Sequence, residues 1–138
     1  RFIFVITITI MKYLILFLLL FYSCSSDFKK SYKIGDIKLY ELQCSGYYYL
    51  STDNCDCKHL PTNYFIPKGG NDSFFELFLK ENKGKLQVNS LYNEFETHGN
   101  IKEKVDFILY TDNASFSDSI SKVNYTVIRG YSNGRMNP

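Results

Sequence analysis

Most of the chemistry this chain could do rests on four cysteines, Cys24, Cys44, Cys55 and Cys57, with His59 two places after the last. Thiolates and an imidazole in the run Cys55-Asp-Cys57-Lys-His59, with Cys44 as a fourth ligand, would suit Zn²⁺ or Cu(I). The spacing is Cys-x-Cys-x-His, however, where metal sites favour two to four residues between cysteines, and no second ligand pair follows downstream. In an oxidising compartment the same thiols pair. Cys55 and Cys57 stand too close to join each other without strain. Cys44 can close a loop of about a dozen residues with either, a closure worth roughly 3 kcal/mol on the chain-entropy model. The expectation is a disulfide from Cys44 to Cys55 or Cys57, with no metal and no cofactor; a metal-handling site on Cys44, Cys55, Cys57 and His59 is the alternative.

Other catalytic signals are sparse. His59 and His98 are the only histidines, and the chain has no Gly-x-Ser-x-Gly, phosphate loop or His-Glu-x-x-His stretch. His98, in Thr97-His-Gly-Asn100, reads as a solvent-exposed turn residue, and Glu94 and Glu96 as surface charges on opposite sides of a strand. The chain is therefore read as a binding protein and not an enzyme. Aromatics are its excess: 12 Tyr and 12 Phe with no Trp. Tyr47, Tyr48 and Tyr49 cannot all face one side of a strand. At least one ring should then point away from the main core and offer a rigid apolar face with a hydroxyl to a protein, a glycan or an amphiphile.

The distribution of charge divides the chain of 138 residues in two. Residues 2–22 carry one charge, Lys12, while 14 of the 16 Lys and Arg and all 14 Asp and Glu follow Cys24. The later part is thus close to neutral, which argues against nucleic-acid binding, because that requires a basic surplus. Its length suits one domain. Met11-Lys12, the apolar run Tyr13–Tyr22 and a small residue, Ser23, form the three parts of a secretory signal. Ten apolar residues at about 1.5 Å each cover only half of a ~30 Å hydrocarbon core. Residues 1–10 read as upstream sequence, since counting them into a membrane anchor would bury Lys12 near the bilayer centre.

Phe21-Tyr22-Ser23-Cys24 resembles a bacterial lipobox, with Phe21 where Leu is usual, and Ser25-Ser26-Asp27-Phe28-Lys29 looks like the export tags of Bacteroidota surface lipoproteins. The lipobox resemblance covers residues 11–24, and no family is recognised for the mature domain. It implies a signal peptide over 11–23 and acylation (palmitate) at Cys24. The expected location is the cell envelope, lipid-anchored at the outer membrane, with the bilayer as one partner and an envelope protein, glycan or amphiphile as another. Ordinary secretion without lipid is the alternative.

These groups must be placed by the rest of the chain. Residues 24–33, polar and lysine-bearing, read as a tether, and 34–138 as one β-rich domain. Residues 37–42 alternate apolar and polar, and 46–50 are rich in strand-favouring aromatics. Residues 51–63 have no period and read as a loop. Phe75, Leu77 and Leu79 line one face of a strand that a turn at residues 81–84 would close into a hairpin, with Gly84 at positive φ. A capping-box pattern at Ser73-x-x-Glu76 makes a helix near 73–83 the alternative. Leu86, Val88 and Ser90, then Val105, Phe107 and Leu109, then Val123, Tyr125 and Val127 continue the alternation, with a loop over 112–119. The fold expected is a small antiparallel β-meander, barrel or sandwich, or α+β if 73–83 is helical.

Overall fold

A computed structural model describes residues 27–68 and 74–131, with Tyr13 alone ahead of them. Three two-residue turns organise most of the chain. Gly35-Asp36 joins β1 (Phe28–Ile34) to β2 (Ile37–Cys44), and Ser45-Gly46 joins β2 to β3 (Tyr47–Ser51). Lys83-Gly84 joins β5 (Phe74–Asn82) to β6 (Lys85–Leu91). In the last two turns both central residues have positive φ, 51° and 85° in one and 52° and 77° in the other. That is the left-handed pair of a type I′ turn, whose twist matches the flanking strands.

The fold is mainly β, built as two sheets that do not close into a barrel. The five-stranded antiparallel sheet has the order β1-β2-β3-β4-β7, with β4 at Tyr64–Lys68 and β7 at Glu94–His98. The four-stranded sheet runs β8-β6-β5-β9, with β8 at Val105–Tyr110 and β9 at Thr126–Tyr131. Its β6–β8 pair is parallel, so the chain is not a simple meander. The main core lies between the sheets. Ile34, Leu39, Leu50 and Phe65 from one side meet Phe75, Leu77, Leu79, Leu86, Val88, Val105 and Ile128 from the other.

Residues 74–82 form a strand and not a helix, because Phe75, Leu77 and Leu79 bury completely on a period of two while Glu76, Phe78 and Lys80 turn outward. Among the described residues from 27 onward the helices lie elsewhere: a single turn, α1 (Ile101–Lys104), and α2 (Asn113–Ser121). The second falls where a loop was expected. Asp112 caps it, its carboxylate accepting the Ser115 N–H at 2.8 Å. Phe116 pins it, packing edge-on against Phe78 and Tyr110 with centroids 5.1 and 5.4 Å apart. Most of the expected tether is also ordered. Phe28 to Ile34 pair residue for residue with Gln43 to Ile37, leaving few residues between Cys24 and the sheet. The lysines that made this stretch look like a linker are typical of an exposed edge strand, where charge discourages further pairing. Among the described residues no helix is long and apolar enough to cross a membrane.

Candidate functional site

Cys24 lies outside the described residues. The other cysteines converge on the outer face of the five-stranded sheet. Cys44 ends β2 on the same face as Leu42, and the loop between β3 and β4 lies over that face. A disulfide joins Cys44 to Cys57, with Cα atoms 5.4 Å apart. It closes the loop over a second apolar cluster of Leu42, Tyr49, Tyr64, Ile66 and Cys55. Cys55 stays a buried thiol, and burial pushes its pKa up, so little of it is thiolate at neutral pH. The metal alternative loses two of its four ligands here. Two thiols are consumed in the bond, and His59 is exposed, its Nδ1 3.2 Å from an Asp56 carboxylate oxygen.

The loop is fastened at its base by polar contacts. Ser51 Oγ donates to the Asn63 carbonyl at 2.6 Å, Asn63 Nδ2 donates to Asp53 at 3.0 Å, and Lys104 Nζ reaches the other Asp53 oxygen at 2.6 Å. These bonds from Lys104 and Asn63 hold the Asp53 carboxyl below the usual carboxylate range. Asn63 also accepts the Asn100 N–H at 2.8 Å. Gly99 sits against it at φ +60°, where an added Cβ would come within 2.3 Å of the Asn63 side-chain oxygen.

The tyrosine run splits between the two faces. Tyr47 and Tyr49 turn outward with Leu42 and Cys44, and Tyr49 packs edge-on to Tyr64 at 5.0 Å. Tyr48 turns inward. Its hydroxyl donates to Glu41 Oε1 at 2.8 Å, while Tyr32 donates to Oε2 at 2.5 Å. Glu41 is thereby buried with two phenolic donors, and burial followed by the carboxylate's influence raises both tyrosine pKa values. None of the three rings is fully exposed.

His98 is not a free turn residue. It ends β7, stacks on Tyr64 with centroids 4.4 Å apart, and meets Glu96 through Nε2 at 2.6 Å. Residues two apart on a strand share a face. Glu94, Glu96 and His98 therefore lie on one side of β7, and the expectation that the two glutamates diverge is corrected. With one ring nitrogen engaged and one ring face covered, His98 braces the loop-covered side of the sheet.

A concave surface lies at the other margin of the sandwich, where β7 and β8 end their respective sheets. Among the described residues each pairs on one side only, and between them opens a groove of about 350 Å³ lined by Glu94, Phe95, Thr97, Lys102, Phe107 and Leu109. Its floor is aromatic: Phe95 and Phe107 have centroids 4.8 Å apart, and both pack on Phe65 behind them. The alternation of Phe107 and Leu109 is visible in the sequence, but Phe95 hides in a five-residue strand whose other members are polar. Nothing in the sequence signals that β7 joins one sheet and β8 the other. No protein-family model matches the chain, no curated protein matches it, and no solved structure matches it.

Proposed function

We propose that this chain is a membrane-anchored cell-envelope lipoprotein whose domain is a non-catalytic binding module, taking an apolar or aromatic part of an envelope protein, glycan or amphiphile into the seam between β7 and β8. The seam carries the reading: a phenylalanine floor, a half-exposed Leu109 at its mouth, and Glu94 and Lys102 available to orient a polar end. A binding role is further supported by how the polar groups are spent. Glu41 is clasped by two tyrosines, Asp53 by Lys104 and Asn63, and two thiols by each other. The anchor rests on Cys24 at the border of the apolar run, and acyl chains there would hold the domain at a surface.

The test uses the full chain in its native envelope with a photoreactive phenylalanine in place of Leu109 or, as control, Val123. Irradiation should give a discrete adduct from the first and none from the second. Equal adducts, or none at 109, would remove the seam from consideration. Labelling with a radioactive fatty acid, lost in Cys24→Ala, checks the anchor separately.

A further inference from the structure

The strands run between two ends of the sandwich that differ in chemistry. One end holds the turns Gly35-Asp36 and Lys83-Gly84, drawn together by the Asp36 N–H donating to Glu81 at 2.7 Å. The opposite end gathers the start of β1, the turn Ser45-Gly46, the start of β5, the β6–β7 connection and the close of β9. Among the described residues from 27 onward, every strongly exposed aromatic side chain is at this second end: Phe28 at 44%, Phe74 at 43%, Tyr92 at 61% and Tyr131 at 67%. They come from four separate stretches of sequence, so no single apolar segment accounts for the clustering.

We infer that this aromatic end lies against the interface of a lipid bilayer, with Phe28, Phe74, Tyr92 and Tyr131 as its contact rim. Three observations support it. Tyr92 adopts φ +62°, a conformation that bulky side chains rarely take. It is held there by its N–H donating to the Tyr110 carbonyl at 2.9 Å. The adjoining Asn93 is braced by Ser90 at 3.2 Å and by the Phe74 carbonyl at 3.3 Å. Phe74 and Tyr131 pack edge-on at 5.3 Å, forming one amphipathic unit from two strands. The position of Cys24 supplies the occupant. Asp27 is fixed at this end by accepting the Ser45 N–H at 3.1 Å, and three residues of any conformation span at most about 11 Å. Acyl chains on Cys24 would bring this end, and no other, to the membrane surface, where Tyr rings settle at headgroup level and Phe rings enter the acyl boundary. The inference rests on the lipid anchor proposed above.

The chain contains no tryptophan, so an introduced one reports alone. The full-length protein is prepared with Phe28→Trp or Tyr131→Trp at the aromatic end, and with Lys38→Trp or Val123→Trp towards the opposite end. Each is reconstituted in phosphatidylethanolamine–phosphatidylglycerol vesicles carrying brominated acyl chains. The first two should lose about half of their emission and the other two almost none, because only rings at the interface approach the bromines. Intact mass of the same samples reports on Cys24. Acylated protein with unquenched reporters at 28 and 131, or equal quenching at all four sites, overturns the orientation and leaves the anchor standing. Unacylated protein overturns the anchor instead. Quenching confined to 28 and 131 would then still support the aromatic end as a membrane-binding surface, and its absence would end that idea too.

Discussion

The two faces of the five-stranded sheet are covered in different ways. Its inner face meets a second sheet, and Leu39, Leu50 and Phe65 are sealed by side chains that arrive at regular intervals along β5, β6 and β9. Its outer face meets a loop without helix or strand. There Leu42, Tyr49, Tyr64 and Ile66 stay buried under a segment tied by the Cys44–Cys57 bond at one point and by the Asp53–Asn63–Lys104 contacts at another. A pleated partner covers a face by burial alone. An irregular one has more conformational entropy to give up per contact and needs ties.

The largest effect should come from the sealed face. Phe65→Ala removes a ring that contacts both Phe95 and Phe107, and should lower unfolding free energy by about 3–5 kcal/mol in urea titration. A loss well below that would mean the seam beside it collapses to fill the space. Removing the disulfide with Cys44→Ser and Cys57→Ser together should cost roughly 3 kcal/mol. Hydrogen exchange should quicken first in residues 52–63 while β5 and β6 stay protected; uniform acceleration would show the two faces to be one unit.

Acid should act on the loop-covered face. The Asp53 pKa is lowered in the folded chain, so its contribution is complete above the unfolded carboxylate value of about 3.9 and disappears as pH falls through the lower folded value. Asp53→Asn should remove that part of the acid sensitivity, and an unchanged acid midpoint would dismiss the clasp. The smallest change is expected of Cys55→Ala, about 1 kcal/mol for the few atoms lost. In the unaltered protein, alkylation of Cys55 should be slow and should track opening of the outer cluster.

What could be read from sequence alone follows the range of the interactions. The β5–β6 hairpin is legible in the alternation of Phe75, Leu77 and Leu79 and in Lys83-Gly84, because strand period and turn conformation are local properties. The partner of Cys44 narrows to Cys55 or Cys57; choosing between them requires knowing how the loop lies over Leu42. Helix α2 hides because its run of Asn, Ser and Asp has low helix propensity, and the contact of Phe116 with Phe78 joins residues distant in sequence. The seam is the least legible feature. Phe95 and Phe107 become neighbours only because β7 and β8 leave their sheets at the same margin.

That exchange between sheets also governs assembly. The parallel strands β6 and β8 are linked by a path that adds β7 to the opposite sheet before returning. Neither layer owns an uninterrupted stretch of chain, so a fragment ending before Glu94 would leave one layer short of a strand and the other without its parallel member. Folding should therefore be all-or-none and slow for the chain's size, because the pairing that closes each half waits on the other.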